Sequence, residues 1–258
     1  QHAVTFAAGL AAQGKKAFCA IYSTFLQRGF DQLVHDVAIQ KLPVVFCIDR
    51  AGVVGADGPT HHGAYDTSYM RSIPNLIISS PLNEQDLRDM MFTASKFDDA
   101  AWAIRYPRGK ATGMQVRDGF ELIEIGKGVC LQEGEDVAVL SFGPIGKYVT
   151  EASSELETDG IQIGHFDMRY AKPLDTELID EICTKYDHII TIEDGAVLGG
   201  FGSAVAEYLA EKASRPTLKI MGLPDRIIEH GTQEELHAEV GLDVPALIKN
   251  VKEALVRA

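Results

Sequence analysis

Three arginines stand at or just past the ends of apolar, β-rich runs: Arg28 in Tyr22-Ser23-Thr24-Phe25-Leu26-Gln27-Arg28, Arg50 after the run 43–49, and Arg108 in Arg105-Tyr106-Pro107-Arg108-Gly109-Lys110. A guanidinium grips a phosphate or carboxylate with two parallel hydrogen bonds. In open α/β sheets, ligands bind outside the carboxyl ends of the strands. Arg28, Arg50 and Arg108 could therefore converge on one anion. The first segment adds the Tyr22 hydroxyl, the Phe25 ring for stacking on a heterocycle, and a helix N-terminus whose free N–H groups favour anions. On spacing alone that segment reads first as a capped helix with Phe25 in the core.

The second segment continues from Asp49 to Gly63 with four glycines, Asp57, His61 and His62. A loop of that length inside a compact domain is functional or disordered, and function is the better reading here. His61 or His62 could move protons near neutral pH. Adjacent histidines do not have metal-ligand spacing, so zinc is not expected. A fourth run, Glu193-Asp194-Gly195-Ala196-Val197-Leu198-Gly199-Gly200-Phe201-Gly202, superficially resembles a dinucleotide fingerprint. Met221-Gly222-Leu223 stands where the acid about 20 positions on would fall. A tight strand-to-helix turn is the preferred reading.

The elements that must position these residues alternate between strand and helix, as in α/β layers with mostly parallel sheets. Strands are predicted at 17–22, 43–49, 76–79 and 102–105, with helices at 25–40 and at 83–97, where Asn83 is the cap. Residues 109–119 read as a linker. A second set follows: strands 136–142, 161–166, 188–193 and 217–221, helices 145–158, 175–184 and 201–213, and two short helices from Thr232. Two α/β domains, 1–114 and 115–258, are the simplest account. The chain opens without Met or a capping residue, on a helix already in progress, which suggests that something upstream is missing.

The chain has 258 residues, 46% apolar and 24% charged, a globular balance. Its net charge of −13 argues against a nucleic-acid partner. No apolar run approaches the roughly 18 residues needed to span a membrane, and no targeting segment is visible. Cys19, Cys47, Cys130 and Cys183 form no CxxC pair and read as buried, reduced thiols of a cytoplasmic protein.

Taken together, the runs QHAVTFAAGLA, YSTFLQRGFDQ, HDVAIQKLPVVFCIDRAGVVGADGPTHHGAYD, RSIPN, RYPRG, KPLD, GGFGSAV and GLPD resemble the 1-deoxy-D-xylulose-5-phosphate synthases, pyruvate-using members of the transketolase-like thiamine-diphosphate enzymes. They cover the chain in order. The resemblance implies a transketolase pyrimidine-binding-like domain lacking its first strand, followed by a transketolase carboxy-terminal-like domain. It further implies condensation of pyruvate with D-glyceraldehyde 3-phosphate by a homodimer. Phe25 would stack on the cofactor's pyrimidine with Arg28 beside it. Tyr22, Arg50 and Arg108 would hold the aldehyde's phosphate, with Asp57 nearby and His61 as a proton-transfer or positioning residue. The family's catalytic Glu would immediately precede Gln1, and its Mg²⁺ and diphosphate ligands belong to a domain further upstream, so this chain alone is expected to be inactive. Ala100-Ala101 and Tyr65 depart from the family's usual Gly-Pro and Phe. Competing readings are half of a split transketolase, the β subunit of a 2-oxo-acid dehydrogenase, a nucleotide-binding module using the 195–202 turn, and a non-catalytic dimerisation fragment.

Overall fold

A computed structural model describes residues 1–213 and 215–256. The first half runs α1 (His2–Ala12), β1 (Phe18–Tyr22), α2 (Ser23–Leu26), α3 (Phe30–Gln32), β2 (Val45–Asp49), α4 (Asp66–Arg71), β3 (Leu76–Ser79), α5 (Glu84–Lys96) and β4 (Ala101–Arg105). The second half runs β5 (Val129–Gln132), β6 (Val137–Phe142), α6 (Lys147–Thr158), β7 (Ile163–Asp167), β8 (Tyr170–Lys172), α7 (Thr176–Lys185), β9 (His188–Ala196), α8 (Phe201–Ala210), β10 (Thr217–Leu223), α9 (Gln233–Val240) and α10 (Val244–Val256).

Two five-stranded sheets result, ordered β1-β2-β4-β3-β8 and β10-β9-β6-β7-β5. The inner strands are largely apolar because helices cover both faces of a parallel sheet; β3, β4 and β6 are buried at every position. Only β5 and β8 run antiparallel, each at an edge. β8 belongs to the second half of the sequence yet pairs with β3 of the first sheet, Ile78 opposite Lys172. One buried cluster holds Phe46, Ile48 and Met70 together with Leu140, Phe142 and Phe201, so the core is continuous between the halves.

Several expectations change. The helix expected over 25–40 begins at Ser23 and passes through a 3₁₀ turn, Gln27–Gly29, and a π-helical stretch, Leu33–Ala38. β5, β8 and α4 were not anticipated, being runs of 4, 3 and 6 residues, too short to show a period. β9 continues three residues beyond its expected end at Glu193, and α10, with 13 residues, is not short. Asn83 caps α5 as read, accepting from the Asp86 N–H at 3.0 Å. The cysteines are all free, but only Cys19 and Cys47 are buried; Cys130, on an edge strand, is exposed.

Candidate anion and cofactor site

The site is assembled by register. Tyr22 at the end of β1 lies opposite Asp49 at the end of β2, and Ile48 lies opposite Arg105 at the end of β4. Parallel pairing thus brings the segments that follow three adjacent strands to one sheet edge. Arg50 stacks its guanidinium on the Tyr22 ring, 4.3 Å from the centroid, and donates a short hydrogen bond to the Asp57 carboxylate. Arg108 Nε lies 3.6 Å from the same Asp57 oxygen, and its Nη1 donates to the Val54 carbonyl at 3.1 Å. Two cations from different strand ends therefore share one carboxylate.

Phe25 is 49% exposed, so the spacing-based reading that put its ring in the core is overturned. Ser23 and Leu26 take the buried face of this turn, which leaves Phe25 on its outer face. The ring instead stacks on Tyr22 at 5.3 Å, with His61 edge-on at 5.5 Å. An exposed aromatic surface beside Arg50 fits a flat heterocycle, and Ser23 Oγ, two residues before Phe25, is buried without a hydrogen-bond partner. The two histidines divide by role. His62 is 5% exposed, accepts from the Val54 N–H at 3.0 Å and donates from Nε2 to the Glu229 carbonyl at 3.1 Å, so it pins the loop. His61 faces the aromatic pair, with Nδ1 2.9 Å from the Thr60 hydroxyl. Arg28 is the exception among the site residues. It is exposed on the 3₁₀ turn and takes no part in the ion pairs around Asp57, so the convergence involves two arginines rather than three.

The sequence reading did not find what anchors this loop from the second half. Asp194 accepts the Val53 N–H at 3.1 and 3.2 Å, and Gln233 donates to the Val53 carbonyl at 2.8 Å. Arg105 is 2% exposed, pairs with buried Asp66 at 3.1 Å and donates to the Asp194 carbonyl at 2.9 Å. Asp194 and Gln233 stand 141 and 180 positions from Val53 in the chain, beyond any local period. A cavity of about 670 Å³ opens behind Arg108 between the halves, lined also by Lys147, Tyr148, Asp194 and His237.

The 195–202 turn is the tight strand-to-helix connection expected. Glu193 is fully buried and accepts from the Phe201 and Gly202 N–H groups at 2.9 and 2.8 Å. Its carboxyl fills the position at the start of α8 that a nucleotide phosphate would need. Burial pushes the Glu193 pKa up to about 7, against the pull of those two donors. Among the described residues no helix is long and apolar enough to cross a membrane, and no group of three or more His, Cys, Asp or Glu side chains could hold a metal ion.

Two mixed, mostly parallel sheets with an aromatic and arginine site at their strand ends define a class. The chain belongs to the transketolase family, matching its pyrimidine binding domain over residues 1–113 and its C-terminal domain over residues 126–247. Among curated proteins it is similar to 1-deoxy-D-xylulose-5-phosphate synthase of Cytophaga hutchinsonii, 51% identical over 98% of this chain, and to that of Parabacteroides distasonis, 50% identical over 98%. The Chlorobium phaeovibrioides synthase is 51% identical over 97%. The chain spans about 40% of the length of these relatives. A solved split-gene transketolase, an inactive beta4 tetramer, superposes with a TM-score of 0.90 at 29% identity, covering 99% of this chain and 81% of that one.

Proposed function

We propose that this chain supplies the pyrimidine-binding domain (1–114) and carboxy-terminal domain (115–258) of a thiamine-diphosphate-dependent 1-deoxy-D-xylulose-5-phosphate synthase. The reaction joins pyruvate to D-glyceraldehyde 3-phosphate with loss of carbon dioxide. The observation that carries this reading is the Arg50–Asp57–Arg108 cluster beside Tyr22, cations fixed at adjacent strand ends and poised for a phosphate. Relatives about 50% identical across nearly the whole chain support it.

In this reading Arg50 and Arg108 grip the aldehyde's phosphate, Tyr22 orients the Arg50 guanidinium from below, and Asp57 keeps the two arginines together. Phe25 offers its exposed ring to the cofactor's pyrimidine, with Arg28 at the rim. His61, edge-on to Phe25, positions substrate or relays a proton. Bound thiamine diphosphate would supply the electron sink that the reaction requires. Mg²⁺ and the diphosphate are held by parts of the enzyme that this chain does not span, so the chain alone does not turn over. The active unit is a homodimer of a cytoplasmic enzyme; exposed Phe6, Leu10, Phe30 and Ile39 offer apolar surface for pairing. Light scattering should then give a mass near twice 28.1 kDa, and a monomer at micromolar concentration would count against pairing through this chain.

A second reading, the separate chain of a split transketolase, is favoured by the 81% coverage of such a chain. The substrate separates the two, because a transketolase takes its two carbons from a ketose phosphate rather than from pyruvate.

Arg50→Ala and Arg108→Ala in the assembled enzyme test the proposal. A hydrogen bond to a charged group contributes about 1.5–3 kcal/mol, or roughly one to two powers of ten. The kcat/KM for glyceraldehyde 3-phosphate relative to unphosphorylated glyceraldehyde should fall by that factor in each variant. Equal losses with both aldehydes would assign the arginines to the cofactor or the fold instead.

A further inference from the structure

Arg50 has φ +59, in the left-handed region that residues with a side chain seldom occupy. Such a backbone persists only where its surroundings fix it. Here the fixing is continuous. The Arg50 N–H donates to Asp49 Oδ1 at 2.7 Å, Ala51 to the Tyr106 carbonyl at 3.0 Å, and Gly52 to the Gly63 carbonyl at 2.9 Å. Val53 donates to the Asp194 carboxylate and Val54 to His62 Nδ1. Of these five acceptors only Asp194 comes from the second half of the chain.

Asp194 also defines how closely the loop may approach. A Cβ placed on Gly52 would lie 2.0 Å from Asp194 Oδ2, so the carboxylate rests directly against the Gly52 backbone. Gly52 has φ +77, and any side chain there would be strained as well as blocked. The other side of the same carboxylate oxygen is held by His237 Nε2 at 3.1 Å, and His237 Nδ1 lies 3.2 Å from the Tyr148 hydroxyl. A carboxylate oxygen accepts, so His237 Nε2 donates to Asp194, while Nδ1 and the Tyr148 hydroxyl share the second hydrogen bond. Tyr148, His237 and Asp194 thus form a chain from α6 and α9 to the backbone that carries Arg50.

We infer that Asp194, oriented by His237 and Tyr148, is a positioning residue for the anion site: it sets the Gly52–Val53 backbone and through it aims Arg50 and Asp57. The inference rests on the phosphate-binding reading above and deepens it, because it makes the carboxy-terminal domain a determinant of selectivity for a phosphorylated aldehyde.

The test compares Asp194→Ala, Asp194→Asn and His237→Gln with Arg50→Ala in the assembled enzyme. The quantity read is kcat/KM for glyceraldehyde 3-phosphate divided by that for glyceraldehyde. Calorimetric titration with inorganic phosphate provides a second readout. Asp194→Ala should lower the ratio roughly tenfold, the effect of one hydrogen bond to a charged group, and weaken phosphate binding in parallel. Asp194→Asn keeps an oxygen for the Val53 N–H and should recover most of the loss. His237→Gln should fall between them, and it carries the test should Asp194→Ala fail to fold. A residue that only joined the domains would depress both aldehydes alike, so an unchanged ratio in the Asp194 and His237 variants overturns the inference. If Arg50→Ala also leaves the ratio unchanged, the phosphate-binding reading itself fails, and the inference falls with it.

Discussion

Asp167 closes β7 with 1% of its surface exposed, and burial pushes its pKa up to about 7, with Asp86 adding to the rise and Arg169 opposing it. Two residues earlier, buried His165 shares a 2.9 Å hydrogen bond with Ser141, and burial drives its pKa down to about 4. Their effects on stability run in opposite directions. The Asp167 contribution is fully present below the unfolded carboxyl pKa and is lost as pH rises toward 7. The His165 contribution is present above the unfolded imidazole pKa and is lost as pH falls toward 4. Asp167→Asn removes the first and leaves the second. From pH 5 to pH 8 the stability of this variant relative to the parent should therefore rise by about 2 kcal/mol, measured by urea unfolding at each pH. A difference independent of pH would mean that Asp167 stays ionised in the fold.

Among the elements, the segment expected to be a linker behaves as a strap along α5. Asp89 on that helix is 3% exposed and accepts from Arg117 Nη2 at 2.6 Å, the Glu121 N–H at 3.0 Å and Gln85 at 3.0 Å. Glu84 receives Thr112 and Gly113, while Phe120 stacks on Phe92 at 5.3 Å. Without periodic apolar residues, the strap depends on these side-chain acceptors to stay against the helix. Asp89→Ala strands the Glu121 N–H and leaves the Arg117 guanidinium with Glu121 as its carboxylate partner, a local cost of about 1–3 kcal/mol. Trypsin cleavage after Lys110 and Arg117 should accelerate by roughly ten- to hundredfold if it proceeds through local opening. Unchanged cleavage would show that the Glu84 contacts and the aromatic stack hold the strap without Asp89.

At the scale of the molecule, the two halves share more than a boundary. β8 extends the first sheet from the second half, and Lys172 at its end donates to the Arg71 carbonyl at 3.0 Å. Arg71 in turn donates to the Gly199 and Gly200 carbonyls at 2.8 and 3.0 Å. With a core continuous between the sheets, unfolding one half exposes buried surface of the other. The chain should therefore unfold in a single transition. Trp102, the single tryptophan, is 1% exposed in β4 and reports on the first sheet. Leu156→Ala, in α6 of the second half where Leu156 is fully buried, should cost about 2–5 kcal/mol. The Trp102 fluorescence midpoint should move with the circular-dichroism midpoint. A Trp102 transition that stayed in place would show halves that unfold independently.

The sequence by itself determined the alternation of strand and helix, the two mostly parallel sheets and the family, because buried parallel strands are largely apolar and motif runs are local. It also placed Arg50 and Arg108 at strand ends, since a strand's end fixes where the next residues emerge. Residue spacing left three matters to the tertiary structure, which arginines converge, which histidine faces the site and which partners hold the loop; the family resemblance separates Arg28 from Arg50 and Arg108 and selects His61, but says nothing of what holds the loop. Arg28 and Arg50 look alike in sequence, but Arg50 turns onto Asp57 within its own loop, and the register of β2 and β4 brings Arg108 to the same carboxylate. Phe25 fell on an apolar spacing, yet the helix after β1 turns its ring outward. Asp194 carries no local signal, because the Val53 backbone it binds is 141 positions away and is brought there only by packing of the two halves, and His237 reaches that backbone only through Asp194.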